Sequence, residues 1–167
     1  MELYILRHGE AGKPIPNGRK DSERPLTVAG QGEIIEVAKA VAKLGVEFDF
    51  VATSPLKRAR QTAEVVAKFF NLKKGSFEEW TELRPEGRTR ELYHKLSQFK
   101  PESSVLIVGH EPLLSRMITE IVFEGGTGRI VLKKGGLVKI TMTAVHPKIK
   151  GELRWLLTPK HLKKIAK

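Results

Sequence analysis

Two apolar runs that each break abruptly at a histidine limit what this chain can fold into more than any other feature. Leu3-Tyr4-Ile5-Leu6 leads into Arg7-His8-Gly9-Glu10, and Val105-Leu106-Ile107-Val108 leads into Gly109-His110. A short continuous apolar run bounded by turn residues reads as a strand buried on both faces. Strands of that kind belong in parallel sheets covered by crossover helices. The segments between the two runs supply such helices. Thr27 is a good N-cap, Ile34, Val37, Val41 and Leu44 recur at helical spacing, and Gly45 closes the element. Phe48 to Thr53 reads as a second strand, and Ser54-Pro55 as a cap with proline in the first helical position. Leu56, Ala59, Ala63, Val66 and Phe70 then form one helix face, leaving Lys57, Arg58, Arg60 and Gln61 on the others. Pro112 starts a further helix to about Phe123 with Leu113, Met117, Ile118 and Ile121 as its stripe.

Elsewhere the pattern is weaker. Residues 11–25 hold two glycines and three prolines among charges and read as a long loop. A short strand is expected around Phe77 to Trp80, a turn at Pro85-Glu86-Gly87 and a short helix over 91–99. Arg129 to Val145 is rich in β-branched residues around Gly135-Gly136, and with Leu153 to Leu157 it reads as antiparallel strands extending the sheet. After Pro159 a lysine-rich helical turn or two is expected, with Leu162 and Ile165 packing down.

At 167 residues the chain is expected to form one domain over 1–167. No apolar run approaches the roughly 20 residues of a membrane span, and Met1 leads almost directly into the first strand, so a cytoplasmic location is expected. The absence of cysteine rules out a disulfide, a thiolate nucleophile and a cysteine-bound metal. The excess of 30 Lys+Arg over 19 Asp+Glu, a formal charge of +11, favours anionic partners. Nucleic acid is disfavoured among these, because the basic residues are scattered and aromatics make up only 7%.

Right-handed crossovers put the carboxyl ends of the first, second and fourth strands on one sheet edge, where open α/β sheets bind ligands. That edge collects Arg7, His8, Arg58 and His110, with Arg58 in a first helical turn where the dipole also favours an anion. Arginine repels metal ions, so two arginines, two histidines and a helix N-terminus describe a phosphate pocket better than a metal site. A hydrolase built on it needs a nucleophile. With cysteine absent and Ser54 read as a helix cap, an imidazole is left.

Arg7-His8-Gly9-Glu10 resembles the Arg-His-Gly signature of the histidine phosphatase superfamily. Leu26-Thr27 with Gly30, Ser54-Pro55 with Arg58, Arg60-Gln61-Thr62 and Gly109-His110 fall where that family has related segments. Arg24-Pro25-Leu26-Thr27, Glu82-Leu83-Arg84-Pro85 and the ending Leu157-Thr158-Pro159 look most like its SixA-type phosphohistidine phosphatases. The resemblance implies a phosphoglycerate mutase-like α/β fold, three layers (α/β/α) around a mixed, mainly parallel sheet. It implies that His8 attacks phosphorus while Arg7, Arg58 and His110 hold the phosphoryl oxygens, and that Arg24, Gly9 and Glu82 border the substrate, Glu82 as a structural or rim residue. No metal and no cofactor are expected. The implied substrate is a phosphorylated protein of the histidine-phosphotransfer type. The alternatives are a small-phosphoester phosphatase, a phosphoglycerate mutase-like enzyme, or a phosphoprotein-binding module without catalysis.

Overall fold

The computed structural model describes residues 1–13, 21–124, 128–145 and 148–167. Residues 14–20 of the loop expected over 11–25 lie outside the described residues. In chain order the elements are β1 (Glu2–Arg7), α1 (Val28–Lys43), β2 (Phe50–Thr53), α2 (Lys57–Phe69), β3 (Phe77–Glu79), α3 (Thr89–Leu96), β4 (Ser104–Gly109), α4 (Leu113–Val122), β5 (Leu137–Ala144), β6 (Lys150–Leu157) and α5 (Pro159–Ala166). Short 3₁₀ turns occupy Asp21–Glu23 and Thr81–Leu83.

One six-stranded sheet runs in the order β3-β2-β4-β1-β5-β6. Its first four strands are parallel, and β5 and β6 add on antiparallel beside β1. The central pair is buried on both faces, as an apolar run without alternation requires. Leu3 and Ile5 pack with Val105 and Ile107 against α3 and α4, through Leu92, Leu96, Leu113, Met117 and Ile121. Tyr4 and Leu6 pack with Leu106 and Val108 against α1, α2 and α5, through Ile34, Val41, Ala63, Val66 and Leu162. The three-layer arrangement follows directly. No helix among the described residues is long and apolar enough to cross a membrane.

Two local expectations need correction. Arg129 to Leu132 is not a strand, and no hairpin forms about Gly135-Gly136. β5 pairs with β1 on one side and β6 on the other, and the Gly135–Gly136 turn clasps the end of β1 instead: the Gly135 N–H donates to the carbonyls of Arg7 and His8, and the Arg7 N–H donates to Gly136 O. With φ at +67° in Gly135, a residue without Cβ suits that turn. The second correction is at Ser54-Pro55, which precedes the helix rather than capping it. α2 starts at Lys57 behind an N-cap at Leu56 that makes no side-chain cap bond. Thr27 does cap α1, its Oγ1 accepting the Gly30 N–H at 2.9 Å.

Gly30 also marks where α1 presses on the turn after β1, since a Cβ there would lie 2.3 Å from Glu10 O. Gly30→Ala is therefore expected to lower unfolding free energy by about 1–3 kcal/mol, the usual cost of overpacking. Urea unfolding measures it, and an unchanged midpoint would mean that the turn gives way freely.

Candidate active site

Parallel strands bring three chain segments to one sheet edge, and the backbone there is held on every side. The His8 N–H continues the ladder to Gly109 O at 3.1 Å. The Gly9 N–H donates to Thr62 Oγ1 on α2 at 3.0 Å, and the Thr62 hydroxyl donates to Arg58 O at 2.7 Å. One threonine thus ties the turn after β1 to the first turn of α2. Gly9 has no room for a side chain, because a Cβ would come within 2.9 Å of Ile34.

The structure gathers Arg7, His8, Arg58 and His110. His8 is buried, and its Nδ1 lies 2.7 Å from Gly9 O. A carbonyl can only accept, so Nδ1 carries the hydrogen and Nε2 keeps its lone pair. The Nε–H of Arg58 donates to that Nε2 at 3.3 Å. Burial pushes His8 down to about 4, and the nearby Arg58, Arg7 and Lys134 act in the same direction while the Gly9 bond opposes them. The ring is neutral at pH 7, and its Nε2 electron pair accepts the Arg58 N–H. His110 stands beside it with ring centroids 4.9 Å apart. Burial, and then the charges of its neighbours, push His110 to about 2. Its Nε2 lies 3.0 Å from Ser54 Oγ, which also accepts the Leu56 N–H at 3.3 Å.

Arg58 is 4% exposed despite its place off the apolar stripe. What buries it is the 3₁₀ turn at Asp21: Arg58 Nη2 meets Asp21 Oδ2 at 2.9 Å and Nη1 donates to Asp21 O at 2.9 Å. Arg24 takes the other carboxylate oxygen at 2.9 Å and also donates to Gly12 O at 3.4 Å. Arg7 donates from Nη1 to Leu132 O at 2.8 Å. Arg60 points elsewhere, toward Glu64 at 3.5 Å and Glu79 at 3.6 Å. Glu82 is not brought into hydrogen-bonding contact with the four, since its carboxylate faces Lys95 at 3.6 Å and the Thr81 hydroxyl at 3.4 Å.

Buried polar atoms without partners concentrate here. Among the described residues they are Arg7 Nε, Arg24 Nε, His110 Nδ1, Glu111 Oε1 and Arg60 Nε, the last of which faces the Glu64 carboxylate at 3.5 Å. Buried N–H groups are rarely left unpaired, and the nitrogens of Arg7 and Arg24, whose charges both act on His110, could receive an anion. No group of three or more His, Asp or Glu that could hold a metal ion occurs among the described residues.

Sequence reasoning missed Asp21, and it named Thr62 only within the string Arg60-Gln61-Thr62 without giving it a role. Thr62 carried a faint signal, a hydroxyl four residues after Arg58 within an alanine-rich helix face; Asp21 carried none, because a loop residue has no periodicity to betray its partner.

Comparison with known proteins finds relatives that span nearly the whole chain. The family model of the histidine phosphatase superfamily (branch 1) matches residues 3–87. The phosphohistidine phosphatase SixA of Escherichia coli is 30% identical, covering 98% of this chain and 97% of its own. An uncharacterised protein of Picosynechococcus is 34% identical over 97% of this chain and 99% of its own. A solved structure of the protein histidine phosphatase SixA complexed with tungstate superposes with a TM-score of 0.84 at 30% identity, covering 98% of this chain and 100% of that one.

Proposed function

The chain belongs to the histidine phosphatase superfamily (branch 1), and on that premise we propose that it is a phosphohistidine phosphatase acting on a phosphorylated protein histidine, of the histidine-phosphotransfer type, through a covalent phospho-His8 intermediate. The observation that carries the reading is the fixed tautomer of His8: Gly9 O holds Nδ1–H at 2.7 Å, leaving the Nε2 lone pair 3.3 Å from Arg58 Nε. That lone pair is the nucleophile. As it bonds to phosphorus, the leaving nitrogen takes the electron pair of the breaking P–N bond, and the positive charge gained by the His8 ring is held by the Gly9 carbonyl. Arg7, Arg58 and His110 bind the equatorial oxygens, where preformed donors stabilise transition-state charge. Water then attacks phosphorus, the N–P pair returns to Nε2, and phosphate is released.

Arg24, joined to Arg58 through Asp21, binds substrate phosphate at the rim, and Gly9 keeps the backbone close. The SixA relative bound to tungstate, a tetrahedral oxyanion with the shape of phosphate, supports an oxyanion site in this fold. Glu82, engaged with Lys95, lines the rim and protonates no leaving group. An imidazole whose conjugate acid has a pKa of roughly 6.5 departs without a dedicated acid, whereas an alkoxide does not. A panel of phosphohistidine protein, aryl phosphate and phosphoglycerate tests the reading. Phosphohistidine should have the highest kcat/KM, and preference for phosphoglycerate would overturn it.

The protonation state of His8 makes a second prediction. Its pKa is lowered, so the competent neutral form persists as pH falls and is lost only through about 4. Initial rates on an acid-stable aryl phosphate, corrected for the ester's own second ionisation, should keep kcat/KM flat from pH ~6.5, the value of an ordinary histidine, down toward about 4. An acid limb centred near that ordinary value would mean that His8 is solvated or paired with an acid.

A further inference from the structure

A cavity of about 500 Å³ opens beside Arg7, between α4 and the segment 128–132. Its wall includes Glu111, the residue after His110. Two buried atoms of that wall have no partner among the described residues: Arg7 Nε, which donates, and Glu111 Oε1, which as a carboxylate oxygen accepts. The other Glu111 oxygen receives the Ser115 hydroxyl, so the carboxylate is tethered. A carboxylate just ahead of a helix gains from the helix dipole, which suits the oxygen beside Ser115 but leaves the buried Oε1 unsatisfied, a costly state. An unpaired donor and an unpaired acceptor in one wall complement a ligand that brings an acceptor and a donor.

We propose that Glu111 selects the leaving group, accepting a hydrogen bond from the distal ring N–H of the phosphorylated imidazole while Arg7 takes a phosphoryl oxygen. This rests on the phosphohistidine reading above. The electron count favours a protonated distal nitrogen. Without that proton, the P–N electron pair would leave on an imidazolide anion. With it, the pair collapses onto a ring that departs as neutral imidazole carrying the distal proton, while His8 Nε2 forms the new bond to phosphorus and its ring takes over the positive charge. The Gly9 carbonyl receives the charged His8 ring at 2.7 Å; Glu111 offers the departing ring the matching acceptor before transfer. Phosphate esters have no N–H to give it.

The other charged groups of the cavity are Arg116 and Glu120 on α4 and Arg129 on the segment 128–132. Arg116 and Arg129 are exposed, so water screens their repulsion of the imidazolium. The Glu120 carboxylate accepts the Tyr93 hydroxyl at 2.6 Å.

Glu111→Gln in the full chain, assayed on a phosphohistidine peptide and on para-nitrophenyl phosphate, provides the test. The loss of one charge-assisted hydrogen bond should reduce kcat/KM for the peptide about 10- to 100-fold more than for the aryl ester. The alkaline limb of the kcat profile for the peptide, which reports the bound complex, should move to lower pH, because the distal nitrogen of the bound ring then loses its proton more readily. Ser115→Ala, which frees the carboxylate while keeping its charge, should change the substrate ratio in the same direction by less. An unchanged ratio or an unmoved alkaline limb overturns the role of Glu111 and leaves the phosphohistidine reading standing. A parent protein that cleaves the aryl ester but not the peptide overturns both.

Discussion

His8→Ala lowers kcat/KM toward phosphohistidine by roughly 10⁴-fold or more, the scale on which removing a covalent nucleophile acts. No neighbour among the described residues can take over. The chain has no cysteine, and Ser54 is buried with its hydroxyl set against His110 Nε2 and the Leu56 N–H. Thr62 is committed in both directions, accepting from Gly9 and donating to the Arg58 carbonyl. His110 points Nε2 at Ser54, and its pKa, held down to about 2, makes it a poorer base than His8. The substitution removes a buried polar ring, so a thermal melt run in parallel separates loss of chemistry from loss of fold. A folded variant retaining activity within about tenfold of the parent would assign the nucleophile elsewhere.

Arg58→Ala and Arg60→Ala should part by more than an order of magnitude. The two residues lie about 200° apart around α2. Arg58 donates to His8 Nε2 and is braced by Asp21 through two contacts at 2.9 Å. Arg60 faces Glu64 and Glu79 at the surface. Removing a positioned donor that meets developing charge costs about 100- to 1000-fold in turnover, and Arg58→Ala should show it in kcat. Arg60→Ala, which breaks only exposed ion pairs, should stay within a few-fold of the parent in rate and stability. Equal effects would show that the guanidinium nearest His8 does not serve the transition state.

Why these residues were visible in advance, and others not, follows from how each is held. β1 and β4 have continuous apolar runs because both of their faces are covered, and a sheet of parallel strands must put their carboxyl ends together; Arg7, His8 and His110 come with that geometry. Arg58 is placed by its position in the first turn after β2, although its burial was not apparent. It sits off the apolar stripe, and what covers it is the Asp21 turn rather than core side chains. Asp21 and Ser54 contribute through contacts between segments distant in the chain, which no local pattern records. The segment from Arg129 to Leu132 has the composition of a strand, yet both edges of β5 are taken, by β1 and β6, and its Leu132 carbonyl serves Arg7 instead. Glu82 falls in a recognisable string, and its side chain turns to Lys95.

The covalent step can be observed most directly by rapid-quench labelling. A protein or peptide carrying radiolabelled phosphohistidine, mixed with the full chain and quenched within the first turnover, should transfer label to His8 as a base-stable, acid-labile adduct that is absent from His8→Ala. Label recovered as an acid-stable phosphoserine or phosphothreonine, or substrate consumed at the parent rate with no label on the chain, would contradict the account.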